Sequence, residues 1–341
     1  MELKNLLAQA IQLQASDLHL KSGNPPVLRI NGQIVAMDHQ IISPAETRFV
    51  ARKILGNEKF EQFEKRGELE GSYFQEDVGN FRISVYHEKG EVGLAFRVVS
   101  TIIPNINSLN LPAGLKNLLD LNSGLILVTG PTGSGKSTTQ AAMVDYINEH
   151  RSCHIITLED PIEFIHTNKK SIITQREIGT DSLSFPAALK AALRQDPDII
   201  MIGEMRDLET ISIALTAAET GHLVLATLHT TSAVQSVSRV IDVFPSQQQR
   251  QAQVMLSNSI TGVISQRLIP GKDGKSRHLA SELMVTTPAI RNLIREGKLH
   301  QIYSAIQTGG KLGMQTLENS IQKLITKGLI DEQNITEING M

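Results

Sequence analysis

Apolar residues follow two different rhythms along the chain, and the change between them falls near residue 100. Before it, helical and alternating patterns are mixed. Leu3, Leu6, Leu7, Ala10 and Ile11 recur at the spacing of one helical face, which predicts a short amphipathic helix over residues 1–14. Residues 15–20 alternate like a strand, and 27–35 hold Asn31-Gly32, the dipeptide favoured in tight hairpin turns. Ser43-Pro44-Ala45-Glu46 combines a capping box with proline at the first helical position, so a helix is expected from there to about Leu55. Residues 73–99 read as two or three alternating strands, with Phe81, Ile83 and Val85 on one face and Gly90 and Gly93 near a turn. This irregular mixture predicts a small α+β domain over residues 1–100.

Residues 101–114 form a natural linker, rich in proline and asparagine. From Leu115 the pattern becomes strand, helix, strand, helix. Short uncharged runs at 125–129, 154–158, 199–202 and 223–227 have the length and branching of strands buried on both faces. Helical stretches fall between several of them, at 138–150, 184–194 and 208–220. The alternation predicts an α/β domain over 115–341 with a doubly wound parallel sheet. Beyond Ser246 the pattern reads as mostly helical, at 247–264, 288–296, 300–307 and 314–327, and residues 330–341 are expected to fray.

The first buried run leads directly into chemistry. Gly130, Gly135, Lys136 and Ser137 fill the fixed positions of G-x-x-x-x-G-K-[ST], with Pro131, Thr132, Gly133 and Ser134 between them and Thr138 following. Glycines let the backbone curl so that successive N–H groups point inward, and the next helix adds the positive end of its dipole. Lys136 is placed to reach the β and γ phosphates of a nucleoside triphosphate, and the Ser137 hydroxyl to ligate Mg²⁺.

Hydrolysis also needs groups that position water and support the metal, and candidates stand at later strand ends. Ile199-Ile200-Met201-Ile202-Gly203-Glu204 ends an apolar run with a carboxylate. Because Gly203 stands where many nucleotidases carry aspartate, Glu204 is expected to act on Mg²⁺ or its waters indirectly. Another run ends in Glu159-Asp160-Pro161-Ile162-Glu163, whose crowded carboxylates would repel one another without a cation or donor nearby. Spacing leaves open which of them is a base. His222 and His229 flank the run 223–228; about 20 Å apart in extended chain, they cannot share one metal. His222 reads as a hydrogen-bonding sensor. Arg82 and Arg97 lie on candidate strands of the first domain and, on composition alone, read as surface ion pairs.

Composition narrows the field. Lys+Arg 33 against Asp+Glu 35 leaves a net charge of -2, and aromatic residues make up 4%, so no strand-binding groove for nucleic acid is evident. Cys153 is the only cysteine, which excludes an intrachain disulfide and a cysteine zinc cage. With Glu2 and Lys4 interrupting the N-terminus and no run of 18 apolar residues, neither a signal peptide nor a transmembrane helix is expected.

Taken in order, the loop, Glu-Asp-Pro-Ile-Glu-Phe at 159–164, Gly-Glu-Met-Arg-Asp at 203–207 and Thr-Gly-His-Leu with the later His229 make the chain resemble the secretion and type IV pilus ATPases. The likeness runs from Ala-Ser-Asp-Leu-His-Leu at 15–20 to Gly-Leu-Ile at 328–330. It implies a PAS-like N-terminal domain joined to a RecA-like ATPase domain, a homohexamer, and ATP with Mg²⁺ as the nucleotide and metal. Glu163 is then implied as catalytic base, Glu204 as the Walker B glutamate, and His222 and His229 as a histidine box. Arg82 and Arg97 are implied as arginine fingers. The missing tetracysteine zinc site, and Ala289-Ile290-Arg291-Asn292-Leu293-Ile294-Arg295-Glu296, resemble the retraction branch. The segment Phe96 to Thr101 is similar to the accessory retraction paralogue. The implied protein is cytoplasmic and peripheral at the inner membrane, acting on a pilus platform. Rivals are an extension or secretion assembly ATPase and a non-hydrolysing nucleotide-gated scaffold.

Overall fold

The computed structural model describes residues 2–30, 32–99, 102–273 and 276–331. The chain divides into two units, one of Met1–Ile102 with Pro161–Ile165, the other of Ile103–Asp160 with His166–Met341.

In the first unit, helix α1 (Leu3–Gln12) precedes strands β1 (Asp17–Leu20), β2 (Val27–Ile30) and β3 (Gln33–Ala36). Helix α2 (Pro44–Arg66) and strands β4 (Glu68–Gln75), β5 (Gly79–Glu88) and β6 (Glu91–Val99) follow. The six strands form one antiparallel sheet in the order β3-β2-β1-β6-β5-β4. One face packs Leu18, Phe81, Val85, Leu94 and Phe96 against Leu6 and Leu7 of α1 and Val50, Phe60 and Phe63 of α2. The capping box forms: Glu46 N–H donates to Ser43 Oγ at 3.4 Å, and Ser43 N–H to Glu46 Oε2 at 2.9 Å. At Gly56 (φ 71°, ψ 171°) the helix breaks, one residue past the expected stop, but it resumes and ends at Gly67 in the left-handed conformation. Asn31 of the expected hairpin turn lies outside the described residues, as do Ser100, Thr101 and 332–341.

The second unit begins with a 3₁₀ turn at Ile106–Leu109, whose Ile106 is buried although it falls in the expected linker. Then come α3 (Gly114–Leu119), β7 (Gly124–Thr129), α4 (Lys136–His150), β8 (His154–Glu159), β9 (Ile172–Glu177) and α5 (Phe185–Ala192). Next are β10 (Ile199–Ile202), α6 (Leu208–Glu219), β11 (Leu223–Leu228), α7 (Ala233–Asp242) and α8 (Gln249–Ser259). The unit closes with β12 (Ile260–Pro270), β13 (Arg277–Val285), α9 (Pro288–Arg295), α10 (Ile302–Thr308) and α11 (Leu317–Thr326).

Its sheet runs β13-β12-β7-β11-β10-β8-β9. Every pairing is parallel except β12 with β13. The expected all-parallel sheet is therefore mixed, though mostly parallel. Residues 247–264 are not one helix: α8 stops at Ser259 and Ile260 opens a strand. Ile330 is not frayed but fully buried beside Ile321 and Leu324 of α11. Strand alternation sorts the core into two layers. Leu125 and Leu127 face one layer with α5 to α8, while Ile126 and Val128 face the other with α3 and α4. Each such side chain contributes about 1.5–3 kcal/mol by burial, so the sheet is a stiff support for the loops at its carboxyl edge.

Candidate functional site

The phosphate-loop sequence leaves β7 at Thr129, whose six residues are all buried. Gly130 has φ +149°, and a side chain there would strike Gln266 O at 2.4 Å and Ser134 Oγ at 2.6 Å. Gly133 (φ +77°) turns the exposed tip of the loop. Helix α4 opens at Lys136 after Gly135 as N-cap, and its first-turn amides face outward from the positive end of the dipole. Lys136 Nζ donates to Gly130 O at 2.9 Å and Pro131 O at 3.1 Å, which folds the ammonium over the loop. From beneath, Gln266 of β12 donates Nε2–H to Ser134 O at 2.8 Å. Thr129 Oγ1 lies 2.7 Å from Ser265 Oγ and 3.3 Å from Ser236 Oγ, which in turn is 2.7 Å from Thr230 Oγ1. These hydroxyls join the root of the loop to the segment after β11.

Glu204 follows β10 at the same carboxyl edge, on a side chain 19% exposed. Arg206 Nη2 approaches its Oε2 at 2.7 Å and His229 Nε2 its Oε1 at 3.1 Å. Burial pushes the Glu204 carboxyl up, but the hydrogen bonds and charges of Arg206 and His229 outweigh it and hold the group below the usual carboxylate range. Thr227 Oγ1 bonds Gly203 O, tying β11 to the residue before Glu204. A Cβ on Gly203 would sit 3.2 Å from Leu158 O, so the backbone leaves little room for an aspartate there. Glu159 ends β8 largely buried, with Thr157 Oγ1 donating to Oε1 at 2.6 Å and Gln175 Nε2 at 3.1 Å. His222 stands at the opposite end of β11 from His229, with Nδ1 3.0 Å from Ala217 O.

In the first unit, β5 and β6 pair Arg82 directly with Arg97. Arg97 Nε donates to Asp17 Oδ1 at 2.9 Å, and Arg82 Nη1 lies 4.0 Å from Glu163 Oε1, in the segment that belongs to this unit.

The sequence profile of the Type II/IV secretion system proteins matches residues 1–337. The chain belongs to that family. It is 48% identical, over 99% of its length and 98% of the relative's, to the "Type IV pilus retractation ATPase PilT" of Pseudomonas aeruginosa. The "Type IV pilus ATPase PilU" of the same organism is 38% identical over 97% of this chain and 86% of its own. A crystal structure of the pilus retraction motor PilT with bound ADP matches with a TM-score of 0.92 at 47% identity, covering 99% of this chain and 96% of that one. The resemblance carried by the ordered motifs is thus borne out.

Within this secretion-family chain, folding gathers Lys136, Ser137, Glu204 and His229 at one sheet edge, and Arg82, Arg97 and Glu163 within the other unit. His222 joins neither group. Arg206 and Asp17 were not singled out from sequence, although both lie inside quoted motifs; their signal was a charged residue fixed within a motif. Gln266 and Ser265 lie in the stretch where no strand was expected.

Proposed function

We propose that this chain is the motor ATPase of type IV pilus retraction, working in twitching motility as a ring of six copies. What carries the reading is the pairing of a phosphate loop with a carboxylate, Glu204, held ionised by Arg206 and His229 at the same sheet edge. In a member of this family so similar to a pilus retraction ATPase, that pairing is the equipment of ATP hydrolysis.

The loop amides and Lys136 bind the phosphates, with Gly130 to Thr138 as the nucleotide cradle. The donor set suits Mg²⁺, which takes one or two protein oxygens and shares the rest with phosphates and water; Ser137 and Glu204 would hold it. When bound, the metal neutralises charge on the phosphate oxygens. Glu204, ionised and shared with Arg206 and His229, orients water in the metal's vicinity, while Glu163 orients or deprotonates the attacking water. Arg82 and Arg97 offset charge on the transferring phosphoryl group. His229 holds Glu204, and His222 acts as a sensor remote from Lys136. Residues 1–100 form a PAS-like domain, 101–114 a linker and 115–341 a RecA-like domain. The partner is an inner-membrane pilus platform rather than nucleic acid, reached from the cytoplasmic side. Among the described residues no helix is long and apolar enough to cross a membrane.

Glu204→Ala is expected to leave ATP binding measurable while phosphate release falls to background. Full turnover in that variant refutes the role of Glu204. A deletion strain with extra surface pili supports retraction, and one with none supports extension.

A further inference from the structure

The likeness to the family begins at Ala-Ser-Asp-Leu-His-Leu, residues 15–20, yet the carboxylate of this segment has no task in the mechanism above. Asp17 opens β1 and is 7% exposed. A carboxylate so placed is costly unless it is paired and hydrogen-bonded. Arg97 Nε–H donates to Oδ1 at 2.9 Å, Ser16 Oγ–H donates to Oδ2 at 2.8 Å, and Arg29 Nε stands 3.9 Å from Oδ2. Burial works to raise the Asp17 carboxyl, but Ser16 and Arg97 overcome it and keep the group below its ordinary range. Asp17 is therefore an anion at neutral pH.

Register explains why these groups meet. Asp17 is directly opposite Arg29 on one side and Arg97 on the other, and Arg97 is directly opposite Arg82. Directly opposed residues share a sheet face, so Arg29, Asp17, Arg97 and Arg82 form one row across four strands. Their neighbours Leu18, Phe81 and Phe96 turn to the other face and fill the core. Two arginines side by side repel, and an untethered Arg97 would swing away from Arg82. The tether uses the inner nitrogen of Arg97. The two terminal amino groups of the guanidinium are left to meet another anion, on a side chain 64% exposed.

We propose that Asp17 is a positioning residue for ATP hydrolysis: by holding Arg97 through its inner nitrogen, it presets the guanidinium beside Arg82 to receive the phosphoryl group. This rests on the reading of Arg97 given above. The competing account is a staple that merely joins β1 to β2 and β6.

A double-mutant cycle on the full-length chain separates the two, with phosphate release measured for wild type, Asp17→Asn, Arg97→Ala and both together. Positioning predicts that Asp17→Asn lowers kcat by about tenfold or more with KM for ATP within about twofold, and that it costs almost nothing further once Arg97 is alanine. A staple predicts a fall in melting temperature with kcat unchanged at temperatures well below it, which overturns the proposal. Arg97→Lys, an exposed and conservative change, gives a second route should Asp17→Asn fail to fold. It keeps the charge but lacks the inner nitrogen, so kcat should again fall about tenfold. Wild-type kcat in Arg97→Lys overturns the proposal while leaving Arg97 a charge donor. Wild-type kcat in Arg97→Ala removes the underlying reading, and the inference with it.

Discussion

Alanine placed at two glycines of the phosphate loop should have very different consequences. At Gly130 the new Cβ meets Gln266 O at 2.4 Å and Ser134 Oγ at 2.6 Å, and the backbone stands at φ +149°. The hydroxyl can rotate away. The carbonyl belongs to β12, which is pinned between β7 and β13 and cannot move alone. Backbone strain of about 1–3 kcal/mol and a similar overpacking cost together make about 4 kcal/mol a reasonable centre. At Gly133 no atom lies within 4 Å of the added carbon, so only the left-handed backbone (φ +77°) resists, at about 1 kcal/mol. For a unit of this size each kcal/mol moves the melting temperature by about 2–4 °C. Gly130→Ala should therefore melt about 8–16 °C below wild type, and Gly133→Ala only about 2–4 °C below. Thermal melts with and without ADP add the functional half of the test. A ligand at a hundred times its Kd stabilises by about 2.7 kcal/mol. Wild type and Gly133→Ala should show that upward shift, and Gly130→Ala should show none. Equal melting losses at the two glycines, or a full ADP shift in Gly130→Ala, would refute the steric reasoning.

Other expectations follow from buried groups of the second unit. Burial pushes His166 down to about 4, with Asp145 opposing and Lys169 assisting. A depressed pKa means stability that is complete above the unfolded value near 6.5 and lost as pH falls through 4. His166→Asn should remove up to about 3 kcal/mol of that acid sensitivity, read from melting temperatures between pH 7 and 4. Glu282 is raised by burial, against the Ala233 N–H that donates to it at 2.7 Å and with the Glu318 charge adding to the rise. Its contribution to stability is therefore present at low pH and lost as pH rises. Glu282→Gln keeps the acceptor and should melt higher than wild type at pH 8, with the gain vanishing near pH 4. Gly203→Asp should cost about 1–3 kcal/mol through the Leu158 carbonyl and lower phosphate release; unchanged melting and faster turnover would contradict it.

Strands β7, β8, β10 and β11 were legible because each is a short apolar run buried on both faces, a pattern that owes nothing to distant partners. The partly exposed edge strand β9 was missed: Thr174, Gln175 and Arg176 break any apolar run. Residues 247–264 misled because the apolar spacing of α8 continues without a break into Ile260, Val263 and Ile264, where sheet pairing with β7 overrides the helical rhythm. In α2 the stop expected near Leu55 corresponds to the break at Gly56, but burial of Phe60 and Phe63 recovers the helix beyond it. Motif residues adjacent in sequence, such as Gly130 to Ser137, could be read directly. Contacts created by register could not: nothing local says that Arg97 faces both Asp17 and Arg82, or that His229 reaches Glu204 across neighbouring strands.

The order of strands also acts as a gauge. The loop bearing Lys136 leaves β7, Glu204 leaves β10, and β11 lies between them. Neighbouring strands stand about 4.8 Å apart, so the two departure points are roughly 10 Å from each other. Because every strand in that span is fully buried, none can slide to close the distance. Fine adjustment of reach is left to side-chain length, one methylene at a time. Trimming Glu204 to aspartate thus withdraws a carboxylate that no movement of the sheet can bring back.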